Sequence, residues 1–298
     1  VKVLLYAVKG NKKQEGEVVE VIKRARNEFA GTIQVLPKFA FLVPDNNKSN
    51  VDLFIPLSKL NGAKHGQKAV ARITEWLPDT KNPTGEVIEV LGDAGDNNTE
   101  MNAILVEYGF PLRFPEDVEK EAEAIPFEIP ASEIKKRRDM RGITTFTIDP
   151  VDAKDFDDAL SVEKIDDTTY EIGIHIADVS HYLKQGMNMD EEAFERGTSI
   201  YLVDRVIPML PEKLSNHVCS LRPNEDKLCY SAIFKIDLEA KVLDEWFGRT
   251  VIHSNRRFTY EEAQQVIETG EGDLKTEILL LDKLAKKLRA ERFKKGAI

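Results

Sequence analysis

Five aspartates stand within ten residues, Asp149, Asp152, Asp155, Asp157 and Asp158, in the run TIDPVDAKDFDDAL. Few features restrict a fold as strongly, because two carboxylates ~4 Å apart repel by roughly 4 kcal/mol at an effective dielectric near 20. A chain that gathers them must keep a proton on one or place a cation among them. Carboxylate oxygens are hard donors, so the expected cation is Mg²⁺, with Mn²⁺ or Ca²⁺ as substitutes. Strand geometry adds a condition: in an extended segment Asp155 and Asp157 share a face and Asp158 points away. Convergence therefore requires a turn, with Asp149 at the end of a preceding strand. Pro150 suits this, since it fixes its own φ near −65° and pushes Asp149 towards an extended backbone. The competing reading is an Asx-type turn of solvated aspartates. The spacing D-x5-D-x-D-D between β-prone segments favours a metal-dependent site for hydrolysis or phosphoryl transfer.

The chain has 298 residues, enough for about two domains. No apolar run approaches the ~18 residues of a membrane span, and no leader signature opens the sequence. Two cysteines, Cys219 and Cys229, supply neither a disulfide framework nor a zinc ligand set. The expectation is a cytoplasmic protein with reduced thiols and no membrane partner. Net charge is −10, yet residues 1–72 carry 13 Lys and Arg against 6 Asp and Glu, and residues 73–298 carry 29 against 46. A basic head on an acidic body suits a phosphate-tracking module joined to a metal-binding one. Ordinary surface bias gives the same counts, so charge alone decides nothing.

Along the chain, VKVLLYAV and GEVVEVIKR read as two strands around a polar turn at Lys9–Gly16. Residues 28–91 then give short apolar runs split by Gly, Pro and Asn, the pattern of a small antiparallel barrel. Residues 93–98 read as a linker. Residues 99–108 read as helix, and Pro126 and Pro130 bound an extended piece. A strand over 143–148 ends at Asp149, and 159–164 with 170–176 form a hairpin after the acidic loop. Leu274, Ile278, Leu281, Ala285 and Leu288 recur at helical spacing, which predicts an amphipathic helix over 273–295. The opening strand and the closing helix look cut, as in an internal piece of a longer protein.

TIDPVDAKDFDDALSV is followed by GIHIADVSHYL, YLVDRVIPMLPEKLSNHVCSLRPNEDK and HSNRRFTYEEA. In order and spacing these resemble the catalytic (RNB) domain of the ribonuclease R / ribonuclease II family, most of all its ribonuclease R branch, over roughly 130–298. The resemblance implies a Mg²⁺-dependent hydrolytic exoribonuclease that degrades single-stranded RNA from its 3′ end to nucleoside 5′-monophosphates, processively; a monomer is expected, although the sequence does not show the oligomeric state. It carries the family's four aspartates onto Asp149, Asp155, Asp157 and Asp158, as both catalytic and metal-binding residues. Asp149 and Asp158 are expected to bind the first ion, Asp155 to support it and Asp157 to act in the catalytic step. Asp152 is expected to be solvated. Tyr201 matches a position that stacks on terminal nucleotides, and Tyr260 a second RNA-contacting tyrosine. Arg205, Arg222, Arg256 and Arg257 are candidate phosphate or structural arginines. His175, His181 and Cys219 read better as packing residues than as ligands.

Lys38, Phe39, Phe41 and Phe54, in KFAFLV and DLFI, resemble the two RNA-binding strands of cold-shock barrels, although the first glycine of the K-G-F-G-F pattern is missing and Ala40 replaces the second. The rings would stack bases if exposed, whereas strand alternation could instead bury one or two. The expected fold is therefore multidomain: all-β OB-type cold-shock barrels followed by a truncated α+β RNB catalytic domain. Residues 1–25 would be a remnant of a first barrel, 26–95 a complete one, 96–140 a connector with helices, and 141–298 the N-terminal portion of the catalytic domain. The family's catalytic glutamate and arginine and its C-terminal barrel would lie beyond residue 298. The alternative is a catalytically inactive RNA-binding protein of the same fold, with this piece itself inactive.

Overall fold

A computed structural model describes residues 1–6, 15–20, 22, 26–45, 51–77 and 80–296. It forms two compact units, Val1–Arg113 and Phe114–Ile298. The division falls inside the stretch 96–140 read from the sequence as a connector.

In the first unit, β1 (Lys2–Leu5) and β2 (Gly16–Glu20) make an antiparallel pair, with Val3 opposite Val18. Most of their expected turn lies outside the described residues. β3 (Glu28–Val35), β4 (Ala40–Pro44), β5 (Leu53–Ile55), β6 (Gln67–Glu75) and β7 (Thr84–Asp93) close a barrel in the order β3-β4-β5-β7-β6. Period-two alternation drives the closure: Ile33, Ala40, Leu42, Leu53, Ile55 and Val87 are fully or almost fully buried in one core. Bulges between β6 and β7 bend that pair around the core. Gly31 permits the close β3–β4 approach, since a Cβ there would sit 2.2 Å from the Val43 carbonyl oxygen. The 93–98 stretch is no free linker. β7 runs to Asp93, and Asp96 caps α1 (Asn97–Glu107) by accepting from the Thr99 N–H at 3.0 Å.

The second unit opens with α2 (Glu116–Glu123), α3 (Ala131–Ile134) and β8 (Arg138–Asp139). β9 (Thr145–Asp149), β10 (Asp158–Lys164), β11 (Thr169–Ala177), α4 (Val179–Tyr182) and α5 (Asn188–Arg196) follow. The short pair β12 (Ile200–Tyr201) and β13 (Val206–Ile207) precedes β14 (Asp226–Asp237), β15 (Val242–His253), β16 (Arg256–Thr259), α6 (Tyr260–Thr269) and α7 (Lys275–Lys294). Seven strands form one sheet in the order β16-β9-β10-β11-β14-β15-β8. The hairpin expected at 159–176 is β10–β11, paired from Asp158–Ile176 to Lys164–Tyr170.

α7 follows the expected stripe at first, where Leu274, Ile278 and Leu281 pack against one cluster, and leaves it further on. Ile278 and Leu284 are its buried residues, while Ala285 and Leu288 are exposed. The helix spans two clusters, packing Ile278 near Phe146 and Phe258 and Leu284 near Ile172 and Ile236. Its buried stripe shifts as it passes from one to the other. Leu274 is left-handed (φ 46°) and precedes the helix, which starts at Lys275.

Candidate nuclease site

β9 and β10 are antiparallel neighbours, so the acidic loop returns the chain on itself between Asp149, the last residue of β9, and Asp158, the first of β10. Inside the loop Phe156 is buried in the main core, while Asp155 is half-buried and Asp157 exposed. The apolar ring thus goes inward and the two flanking carboxylates outward, as alternation requires. Ala177 N–H donates to the Asp157 carbonyl at 3.0 Å, and Ala153 N–H to the Pro150 carbonyl at 3.1 Å. Leu221 N–H donates to the Phe156 carbonyl at 2.8 Å. The fully buried Ser220 bonds to the Lys154 carbonyl and the Phe156 N–H. Arg257 donates to the Pro150 carbonyl and lies with its guanidinium 5.6 Å from the Phe156 ring centre.

The four aspartates act on one another electrostatically. Burial pushes the Asp149 carboxyl above the usual range; Asp158 and Asp155 add to this, against the Thr147 hydroxyl and Arg257. Asp157 is raised as well, first by desolvation within the crowded loop and then by Asp155, Asp158 and Asp149. Its exposed side chain and its desolvation are compatible, because a concave loop crowds a group that still touches solvent. Asp149 Oδ2 is buried and makes no hydrogen bond of normal geometry. Asp152 is exposed in the turn.

The donor chemistry fits a hard divalent cation: an unpartnered buried carboxylate oxygen, with three more carboxylates whose repulsion a cation would relieve. The side chains as placed are not a finished cage. Among the described residues no three His, Cys, Asp or Glu are arranged to hold a metal ion.

Tyr201, at the end of β12, reaches this cluster. Its hydroxyl donates to Asp155 Oδ2 at 3.4 Å while the residue as a whole is 67% exposed. Desolvation, followed by Asp155, raises its phenol pKa. β16 runs parallel to β9 with Thr259 opposite Asp149, so the exposed Tyr260 begins α6 beside the acidic strand end. Arg256 pairs instead with Glu262 and Asp273, and Arg222 with His217 and Glu225. Arg205 pairs with Asp204. His175 is a core residue, bonded to Ser231 and Ser161 at 2.7 and 2.8 Å and pulled down to about 4 by burial. His181 contacts Arg137 and Glu133, and Cys219 is a buried free thiol.

In the barrel unit Phe39, Phe41 and Phe54 are all half-buried and stand outside the core, with ring centres 5.4–6.1 Å apart. Phe41 lies opposite Phe54 across β4 and β5, and Lys38 is exposed beside them. The register puts Ala40, Leu42, Leu53 and Ile55 inside, so none of the three rings is consumed by the core.

Sequence reasoning missed the buried network around Arg137, whose side chain is fully buried. It bonds Asp178 at 2.8 Å and Glu133 at 2.9 Å, and Arg249 reaches Asp178 at 3.5 Å. It also missed Ser220, whose only signal is one small polar residue inside the apolar HVCSL.

The chain thus combines a barrel carrying an outward aromatic triad with a sheet whose acidic loop meets an exposed tyrosine. Residues 137–298 match the RNB domain and residues 41–115 the cold shock domain. The chain belongs to the RNB family. It is 40% identical over 290 residues to Ribonuclease R of Thermotoga maritima and 37% identical over 293 residues to that of Aquifex aeolicus. These alignments cover 95% and 96% of this chain but 41% of each relative, so the chain spans about two-fifths of their length. Mycoplasma genitalium RNase R, solved in complex with ribose-methylated single-stranded RNA, superposes with a TM-score of 0.89 at 26% identity, covering 100% of this chain and 48% of that one. Yeast Ssd1, a pseudonuclease, shares the fold at a TM-score of 0.69 and 23% identity, covering 98% of this chain and 37% of that one.

Proposed function

We propose that the protein is a Mg²⁺-dependent 3′→5′ exoribonuclease, hydrolysing single-stranded RNA processively to nucleoside 5′-monophosphates. One observation carries the reading: Asp149, Asp155, Asp157 and Asp158 share one electrostatic field around a buried, unpartnered Asp149 oxygen. These four would hold the cation, with Mn²⁺ as a substitute. When bound, such an ion neutralises charge at phosphorus and makes water a nucleophile near neutral pH. The chain's own groups do the rest. Tyr201 offers an exposed ring to a terminal base while its hydroxyl orients Asp155. Arg257 braces the loop from Pro150 and favours the ionised form of Asp149. Phe39, Phe41, Phe54 and Lys38 give the barrel a sequence-tolerant grip on bases and phosphates, and Tyr260 would add a contact beside the acidic strand end. Residues 26–95 serve as the RNA-binding barrel and 141–298 as part of the catalytic domain. The protein acts as a cytoplasmic monomer.

A second reading is RNA binding without cleavage. Incubating 5′-labelled single-stranded RNA with the full-length protein, in Mg²⁺ and in EDTA, separates the two. Cation-dependent shortening from the 3′ end to small products supports the exoribonuclease. A gel shift of intact RNA in Mg²⁺ overturns it in favour of binding alone.

A further inference from the structure

We propose that Ser220 is a positioning residue for the acidic loop, fixing the Asp155 main chain so that its carboxylate faces the other aspartates. Its consequence for catalysis rests on the exoribonuclease reading; its geometric role does not.

The Ser220 side chain is 0% exposed. Its hydroxyl donates to the Lys154 carbonyl at 2.9 Å and accepts from the Phe156 N–H at 3.0 Å. Those two peptide groups flank Asp155. One hydroxyl, using its donor and one acceptor site, therefore closes a bracket around the residue whose carboxylate must be aimed. The next peptide extends the clamp, as Leu221 N–H donates to the Phe156 carbonyl at 2.8 Å. Cys219, Leu221 and Phe156 are buried in the same cluster, so the clamp is anchored at both ends. On its outer side Asp155 accepts from Tyr201 and acts on both Asp149 and Asp157. Any rotation of the 154–156 peptides passes directly into that cluster. Four mutually repelling carboxylates hold a common orientation only if their backbone is fixed by something else, and Ser220 supplies this at the loop's centre.

A residue that merely joined two core segments would alter stability alone. A residue that orients a metal-binding group typically changes cation affinity or activity by about 10–100-fold when removed. The experiment compares full-length wild type with Ser220→Ala and Ser220→Thr, the latter keeping the hydroxyl. Three measurements are made: hydrogen exchange across residues 150–158 without metal, Mn²⁺ affinity by electron paramagnetic resonance, and kcat and KM on single-stranded RNA.

For Ser220→Ala the expected result is faster exchange confined to the loop, with Mn²⁺ affinity and kcat both falling by about 10–100-fold. KM for RNA is unchanged, and Ser220→Thr recovers most of the loss. Unchanged loop exchange and unchanged Mn²⁺ affinity overturn the proposal. So does faster exchange spread evenly through the core with Mn²⁺ affinity intact. Should Ser220→Ala fail to fold, Ser220→Cys, which keeps the volume but weakens the bridge, must show the same loop-confined exchange or the proposal fails. A wild type that neither cuts RNA nor binds Mn²⁺ refutes the functional reading, while the exchange comparison still decides the role of Ser220.

Discussion

Replacing Asp178 by alanine should destabilise the second unit more than replacing any one of the four loop aspartates Asp149, Asp155, Asp157 and Asp158. Arg137 and Asp178 are 0% and 1% exposed in their side chains and meet at 2.8 Å. Removing one partner of a buried ion pair costs about 3–5 kcal/mol, because the other charge is left without compensation. Glu133 still holds Arg137 at 2.9 Å, which places the expected loss near the lower end, about 3 kcal/mol. At about 2–4 °C per kcal/mol for units of 150–250 residues, Tm should fall by about 6–12 °C. Burial by itself raises the Asp178 carboxyl, but the Ser180 hydroxyl and Arg137 outweigh it and hold it below the usual carboxylate range. The sign follows: the pair's stabilisation is present above the ordinary carboxylate pKa of about 3.9 and is lost as pH falls through the lower folded value. Calorimetry at neutral pH and in acid should therefore show a gap between wild type and Asp178→Ala that closes only in acid. A loss under about 1 kcal/mol, the scale of an exposed pair, would refute the reasoning.

Asp157→Asn should abolish most cleavage, by roughly 10²–10³-fold, while RNA affinity by gel shift is retained and Tm is unchanged or higher, because a carboxylate with a raised pKa has been neutralised. Ionised carboxylates are needed to hold a cation, so Mn²⁺ affinity should fall with decreasing pH already above the ordinary carboxylate range, as Asp149 and Asp157 take up protons; isothermal titration at several pH values checks this. Phe41→Ala and Phe54→Ala should each weaken RNA binding by about 1–3 kcal/mol with an unchanged salt dependence, whereas Lys38→Ala should reduce the salt slope by about 0.7. Tyr201→Phe should keep nucleotide stacking and lose the Asp155 hydrogen bond, giving an unchanged KM and lower kcat; Tyr201→Ala should alter both.

Much of the fold was legible because it follows from local pattern. Alternation in KFAFLV and DLFI marked these runs as barrel strands but left open whether one or two rings were buried; the structure puts Ala40, Leu42, Leu53 and Ile55 inside and all three rings outside the core. A Thr-rich strand stopping at Asp149–Pro150 is what the backbone limits on a residue before proline suggest, and β9 ends at Asp149. The acidic loop was legible as a turn between two strands, and the structure brings Asp149 and Asp158 to the facing ends of β9 and β10. What holds the loop was not legible. Ser220 bonds main-chain atoms 64 and 66 residues away, and a backbone partner leaves no pattern in sequence. The Arg137 network was hidden likewise, since KKRRD looks like a solvated basic run until β8 packs beside β15. The α7 stripe held for Leu274, Ile278 and Leu281 and failed at Ala285 and Leu288, because one helix serves two clusters, which a single period does not describe.

The central claim is that Asp149, Asp155, Asp157 and Asp158 jointly hold a divalent cation. Anomalous diffraction from crystals of the full-length protein soaked in Mn²⁺ tests it most directly. The account predicts a peak within coordination distance of Asp149 and at least one of the other three, absent from Asp149→Asn crystals. Manganese found elsewhere, with these four side chains turned to bulk water, would contradict it.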